Sequence, residues 1–409
     1  MSYRVLSDEL HEHVGESVRI AGWVHRRRVL ARVTFLVVRD RAGLAQVVVP
    51  AGVPVPPEES VVEITGTVVA NEVAPGGHEV AHGAIEVLSE AEAPPVELFR
   101  PELDAGLPAL LDHAAVSLRH PGRRAVFRAG AAAVGAFRAT LDGLGFTEIF
   151  TPKIVGGATE SGANVFPLDY FGRRAYLAQS PQFYKQTMVG VFERVYEVGP
   201  VFRAEPHDTS RHLAQYTSLD AELAFVRDHR DVMAVLTRVV RAMVSAAGLS
   251  TVQMPPEFPV LHFTTALEIA GADPDEPDLA PEHERALGAW ALKEHGSDFV
   301  YVEGYPMAKR PFYTHPQPSD PRWSNSFDLL FRGLELVTGG QRRHRYADYL
   351  AVLGDEAAAL EGYLAAFKHG MPPHGGFAIG LERFLARLSG AGNVRETTLF
   401  PRDLHRLTP

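Results

Sequence analysis

The sequence predicts two domains, a small all-β barrel and then a larger α+β domain on an antiparallel sheet. Three observations predict it. Short runs of alternating apolar and polar residues fill positions about 17–90, broken by Gly, Pro and Asp turns. From residue 123 onward, strand-like and helical runs alternate across connections of hairpin length rather than in regular βαβ units. The chain of 409 residues also exceeds the roughly 250–300 at which one hydrophobic core stops growing.

In the first region the runs SVRIAGWVH, TFLVVRD, AQVVVP, SVVEITGTVVA and AIEVLSE read as five strands. A five-strand barrel that carries arginines and aromatics suggests an OB-fold, a platform for single-stranded nucleic acid. Seven arginines (Arg19, Arg26, Arg27, Arg28, Arg32, Arg39 and Arg41) stand here against one acid, Asp40, in a chain of net charge -10. That patch has two readings, a solvated strand face or a local nucleic-acid surface. EAEAPPVELFRPELDAGLPAL, rich in Pro and acid and without a period, reads as a linker. The expected division is a barrel over 1–92, a hinge over 93–122 and the α+β domain over 123–409.

The second region starts with an Ala-rich helical pattern from Arg123 to Leu144, stopped by Gly145 and followed by the strand-like FTEIFTPKIV. Strands are expected at RRAYLAQ, RVYEVGPVFRAE, SLDAELAF, DFVYVEGYP, SFDLLFRGLELVTG and GGFAIGL, and helices at PQFYKQTMVGVF, HRDVMAVLTRVVRAMVSAA, PEHERALGAWALKEHG and ERFLARLSG. No apolar run approaches the roughly 18–20 residues that span a bilayer. The chain has no cysteine, which excludes disulfides and thiolate metal sites, and the N-terminus lacks a secretory layout, so a cytoplasmic location is expected.

Four stretches carry chemistry. FRAEPHDTSRHLAQYTSLDAELAF places Arg203 and Glu205 beside a polar loop with Arg211 and His212. A guanidinium next to a carboxylate suits nucleotidyl chemistry, and a salt-bridged hairpin is the structural alternative. GGFAIGLERF is a Gly-rich strand entering a helix at Glu382 and Arg383; its glycines let a flat ligand approach the backbone, or simply make a turn. QSPQFYK contains Lys185, one of only five lysines among 40 basic residues, so a compact ammonium is selected there or a helix lysine is merely exposed. In GLELVTGGQR, Glu335 and Thr338 offer hard oxygen ligands of the kind Mg²⁺ prefers, and Arg342 can pair a carboxylate; the alternative is a buried strand ending in a turn.

Taken in order, these stretches resemble the class II aminoacyl-tRNA synthetases, and within them the aspartyl enzymes of archaeal type. GFTEIFTPKI resembles motif 1, FRAEPHDTSRHL with its return strand motif 2, and GLERFLARLSGAGNVRETTLFPRD motif 3. The resemblance covers nearly the whole chain. It implies ATP and Mg²⁺, a homodimer with Pro152 at its interface, and catalytic roles for Arg203, Glu205 and Arg383. ATP would meet Arg203, Ala204, Glu205, Arg211, His212, Leu213, Glu335, Gly380, Leu381, Glu382 and Arg383, with Mg²⁺ at Glu335 and Thr338.

The resemblance further implies that aspartate meets Glu160, Gln182, Phe183, Tyr184, Lys185, Arg203, Asp220, Thr338 and Arg342. Thr338 stands where many aspartyl enzymes have serine. In the barrel, Arg28, Phe35, Gln46 and Pro75 would meet the anticodon, with Phe35 and Gln46 on its central uridine. That uridine is common to tRNA-Asp and tRNA-Asn, and the short loop at about 70–83 with Pro75 resembles asparaginyl enzymes and the aspartyl enzymes that charge both. His25 lies on a neighbouring strand where the family varies. A tRNA-dependent amidotransferase would then convert the Asp-tRNA-Asn. An asparaginyl enzyme, a synthetase-derived asparagine synthetase and a non-catalytic paralogue are the competing readings. Lys185 with Arg342, the barrel, and the intact Arg203, Glu205 and Arg383 count against them in turn.

Overall fold

A computed structural model describes residues 4–157 and 164–408, divided into two compact units, 1–124 and 125–409. The hinge expected over 93–122 falls within the first unit and holds two short helices, α1 (Leu107–Asp112) and α2 (Ala114–Ser117).

In the first unit, β1 (Ser17–Val29), β2 (Val33–Arg39), β3 (Leu44–Pro50), β4 (Val61–Ala70) and β5 (His78–Ser89) close into a barrel in the order β1-β2-β3-β5-β4. Alternation decides the faces: Leu36, Val38, Ala45, Val47 and Val49 point inward, while Phe35, Val37, Gln46 and Val48 stay partly exposed. The register sets Arg28 opposite Phe35, and Phe35 opposite Val48. Because β5 starts at His78, the loop expected over 70–83 is shorter, spanning 71–77, with Pro75 exposed at its tip.

The arginine-rich stretch is not one patch. Arg26, Arg27, Arg28 and Arg32 are exposed, but Arg39 is 2% exposed and makes two 2.8 Å hydrogen bonds to Glu59. Arg119 adds a third at 3.1 Å. His25 is the extra residue of a bulge between Val24 and Arg26, turned inward against Arg39 at 3.0 Å. Burial first, then the Arg39 charge, push its pKa down to about 4.

In the second unit, α3 (Pro121–Gly143) leads not to the long strand expected over FTEIFTPKIV but to two short ones, β6 (Thr147–Glu148) and β7 (Ile154–Val155). Next come β8 (Pro167–Tyr170), β9 (Arg173–Leu177), α4 (Gln182–Phe192), β10 (Arg194–Phe202), β11 (Gln215–Ala224) and α5 (His229–Ala247). They are followed by β12 (Val260–His262), α6 (Phe263–Ala270), α7 (Pro281–His295), β13 (Phe299–Glu303), β14 (Ser326–Phe331) and β15 (Glu335–Arg342). The chain continues through α8 (Tyr346–Leu353), α9 (Glu361–Lys368), β16 (His374–Gly380) and α10 (Leu381–Ser389). Eight strands form one sheet, β12-β13-β14-β15-β16-β11-β10-β6, antiparallel except for the pairs β12–β13 and β10–β6.

This sheet has two chemically distinct faces. Leu219, Ala221, Leu223, Val337, Phe377 and Ile379 pack against α3, α5 and α10 in the main core. Ser218, Asp220, Glu222, Thr338, Arg342 and Ala378, each an odd number of residues along its strand from one of these, therefore emerge on the other face. The core sits on one side and the polar chemistry on the other.

Removing one partner of a buried ion pair strands the other charge, at a cost of about 3–5 kcal/mol. Glu59→Ala is therefore expected to lower stability by about that much at pH 7, measured by urea unfolding of the full chain. Burial alone raises the Glu59 carboxyl, but the hydrogen bonds and charge of Arg39, then Arg119, outweigh it and hold its pKa below the ordinary 4.5. A depressed acid contributes stability above its unfolded pKa and loses it as pH falls through the folded one. The gap between wild type and variant should accordingly narrow below pH 4.5.

Candidate functional site

The polar face of the sheet lines a cavity of about 320 Å³. α4 contributes Gln182 and Lys185, three residues apart and so on one side of the helix. Phe183 and Tyr184 lie farther round α4, away from the cavity: Phe183 stacks on Tyr363 at 4.4 Å in a separate apolar cluster. The family resemblance groups all four at aspartate.

At the closed end of the cavity two cations are held by two acids. Lys185 Nζ donates to Asp220 Oδ1 at 2.9 Å and to the Phe377 carbonyl at 3.3 Å, and lies 3.5 Å from Glu222 Oε2. Arg342 Nε donates to Glu222 Oε1 at 2.9 Å, and its Nη2 to Glu222 Oε2 and the Gly376 carbonyl at 3.4 and 3.1 Å. Glu222, fully buried, is a residue the sequence reading missed, although it follows Asp220 by two positions and so shares its face. Burial raises its carboxyl; the charges of Arg342 and Lys185 outweigh that and keep it ionised. Asp220 stands behind Lys185 as a support rather than in the cavity lining.

Gly376 leaves room for this quartet. Gly376 pairs with Glu222 across the strands, and a Cβ on it would overlap the Glu222 carboxylate. Among the described residues, Arg342 Nη1 meets no protein acceptor, so this end of the cavity offers donors. An acceptor-only group, a carboxylate, matches it. An amide would turn its own NH₂ against those donors.

The open end carries the remaining candidates. Arg203 and Glu205 lie 3.8 Å apart, but β10 ends at Phe202, so strand alternation is not what pairs them. The base of the loop does it, where Arg203 N bonds the Ala214 carbonyl at 2.9 Å. Arg211, His212 and Leu213 line the cavity, and Arg211 rests on Glu284 at 3.2 Å. Burial, then the charge of Arg383, lower the His212 pKa. Gly380 and Arg383 line the wall, with Arg383 Nη1 3.9 Å from Glu335 Oε1.

Two expected ATP contacts point elsewhere. Ala204 is outside the lining, its N–H on the Asn164 carbonyl, and Leu381 packs on the helix-side core. Glu382 reaches the lining, but its carboxylate accepts the Thr217 N–H at 3.0 and 3.1 Å, and burial pushes its pKa up to about 7.

Glu335 and Thr338 are three apart, which in a regular strand puts them on opposite faces. A bulge corrects this. Leu330 pairs with Glu335 but Leu329 with Val337, so Leu336 is an extra residue, and Thr338 Oγ1 bonds Glu335 Oε1 at 3.1 Å. Among the described residues no three His, Cys, Asp or Glu side chains converge as a metal cage. A carboxylate plus a hydroxyl fits Mg²⁺ that shares its remaining ligands with substrate phosphates and water. Behind Glu335, burial and then the Glu335 charge push Glu284 up to about 7.

The reading also missed Arg310 and Tyr313, both in the cavity lining, because RPFYT follows no period. Glu160 lies outside the described residues. Pro152 is exposed, its neighbours Thr151 and Lys153 both bound to Glu197, and next to it Phe150 is 81% exposed. Among the described residues no helix is long and apolar enough to cross a membrane.

Comparison with known proteins adds a family. The model of class II tRNA synthetases (D, K and N) matches residues 108–404, and that of the OB-fold nucleic acid binding domain residues 18–88. An aspartate–tRNA(Asp/Asn) ligase of Thermus thermophilus is 48% identical, covering 99% of this chain and 100% of that protein. One from Deinococcus radiodurans is 46% identical, covering 99% of each. The crystal structure of an asparaginyl-tRNA synthetase from Pyrococcus horikoshii with asparaginyl-adenylate superposes with a TM-score of 0.91 at 31% identity, covering 100% of both chains.

Proposed function

Since the chain belongs to the class II tRNA synthetases of the D, K and N group, we propose that it activates aspartate with ATP and transfers it to both tRNA-Asp and tRNA-Asn. The observation that carries the amino-acid choice is the buried Lys185–Arg342 cluster, in which Arg342 Nη1 remains as a donor for a side-chain carboxylate. Relatives at 48% and 46% identity are ligases for tRNA(Asp/Asn), which supports the wider tRNA range. The short loop over 71–77 supports it too, since little chain stands beside the barrel face that carries Phe35 and Gln46.

In the first step the α-carboxylate of aspartate attacks the α-phosphate of ATP and pyrophosphate leaves. Arg203, from the loop base, holds both reacting groups and takes up charge that grows in the transition state. Glu205 accepts the adenine amino group, and Arg383 lies against the base and outer phosphates. Glu335 and Thr338 would hold Mg²⁺, which when bound would supply Lewis-acid charge to the phosphates. In the second step the 3′-hydroxyl of the tRNA's terminal adenosine attacks the adenylate carbonyl and releases AMP. Asp-tRNA-Asn made this way needs a tRNA-dependent amidotransferase to become Asn-tRNA, and all of this belongs in the cytoplasm.

The exposed Phe150 and Pro152, braced by Glu197, support a homodimer. Sedimentation of the native chain is expected at twice 44.7 kDa and of Phe150→Asp at the monomer mass.

Losing one preorganised charge donor costs on the order of 10²–10³ in rate. Arg203→Ala should lose aspartate-dependent ATP–pyrophosphate exchange by at least that factor; near-normal exchange would rule out this reading of the site. Purified tRNA-Asn is expected to accept aspartate, and neither tRNA to accept asparagine. Charging confined to tRNA-Asp would make the enzyme discriminating.

A further inference from the structure

Behind the cavity lies a buried polar network that none of the steps above uses. Gln186, on α4 one residue past Lys185, is 0% exposed. Its Nε2 meets His374 Nε2 at 3.1 Å and the Tyr349 hydroxyl at 3.4 Å. Its Oε1 accepts from Gln182 Nε2 at 2.9 Å and from the Tyr363 hydroxyl at 3.1 Å.

Donor and acceptor rules fix the orientation of the two amides in this network. His374 Nδ1 sits 2.8 Å from the Pro372 carbonyl, which can only accept, so the ring proton is on Nδ1. A neutral imidazole then has a bare Nε2, which can only accept. Full burial, the largest cause, lowers the His374 pKa to about 4 and keeps the ring neutral at pH 7. Gln186 must therefore turn its NH₂ toward His374 and its carbonyl toward Gln182. Gln182 must in turn spend its NH₂ on Gln186, which leaves its carbonyl oxygen on the cavity side.

We propose that Gln186, pinned by His374, is a positioning residue that makes Gln182 present an acceptor to the ammonium group of the amino-acid substrate. The proposal rests on the assignment of aspartate as substrate. Aspartate carries two acceptor-only carboxylates and one donor, its ammonium, so an acceptor among the cations of this cavity has one group to bind. Turned the other way, Gln182 would add a donor to a wall that already has Lys185 and Arg342, and the ammonium would lose a partner.

The test separates the ammonium from the rest of the ligand. In aspartate-dependent ATP–pyrophosphate exchange, Gln186→Leu is expected to raise the KM for aspartate roughly 10- to 100-fold, the range for a hydrogen bond to a charged group, with the KM for ATP within about twofold. Succinate, which lacks the ammonium, is the second probe, and its inhibition constant should change by less than about twofold. Gln186→Glu, which keeps an acceptor oxygen toward Gln182, should stay within about threefold of wild type for aspartate. Parallel weakening of aspartate and succinate would mean that Gln186 merely packs the helix, and overturns the proposal, as does no change in either.

If Gln186→Leu does not fold, His374→Phe removes the acceptor at the far end and is read by the same two constants. Aspartate weakened with succinate untouched supports the relay, and any other pattern overturns it. Wild-type enzyme that gives no exchange with aspartate would instead overturn the substrate assignment.

Discussion

The second unit is organised around a buried charge balance: Lys185 and Arg342 against Asp220 and Glu222. Taking four ions out of water is tolerable only if each is matched and hydrogen-bonded, and here each is. The consequences spread outward. Asp220 and Glu222 must share a face of β11, Lys185 must lie on the sheet side of α4, and the residue opposite Glu222 must lack a side chain, which makes Gly376 obligatory. Because the acids already neutralise the cations, selectivity does not rest on stranded positive charge. In the proposed function it rests on hydrogen-bond polarity: the Arg342 Nη1 left over is a donor, and a carboxylate has no donor to clash with it.

The same logic of parity and exceptions builds the open end. Regular alternation gives the floor of the cavity, but the groups suited to phosphates come from places where alternation fails: the loop base at Arg203, the bulge at Leu336 and the start of α10 at Arg383. Irregular backbone is where side chains can be re-aimed. The loop with Arg211 and His212 is not left to itself. Arg395 bonds the Asp208 side chain at 2.7 Å and the Thr209 carbonyl at 3.2 Å, and Ala214 N bonds the Arg402 carbonyl at 2.8 Å. The C-terminal segment thus restrains a loop that would otherwise carry few bonds of its own.

Periodicity read most of this fold correctly because long, regular elements advertise themselves. The five barrel strands, α5 and α7 lie where alternation and helical spacing put them. The linker helices α1 and α2 are too short for a period, and FTEIFTPKIV reads as one strand because it is an apolar run, whereas Phe150 within it faces outward. Charge counting failed at Arg39, since seven arginines in a row of strands say nothing about which one turns inward to Glu59. Motif resemblance found Lys185 and Arg342, but Glu222, which holds both, is tied to them only across the sheet.

The barrel poses the polarity question again on a smaller scale. Gln46 donates its NH₂ to Glu79 Oε2 at 2.7 Å, and a carboxylate can only accept, so the Gln46 carbonyl oxygen is left for a ligand. An outward acceptor matches the N3–H of uracil and opposes the bare N3 of cytosine, while the neighbouring Phe35 ring offers a surface for stacking that any base can use. Glu79 also takes the Asn71 side chain at 2.8 Å, so the same carboxylate that orients Gln46 anchors the first residue of the 71–77 loop. The group proposed to read the shared base and the loop proposed to meet its neighbour are therefore not independent. A change in the loop that disturbs Asn71 reaches Gln46 through Glu79, and tRNA range and anticodon affinity should vary together.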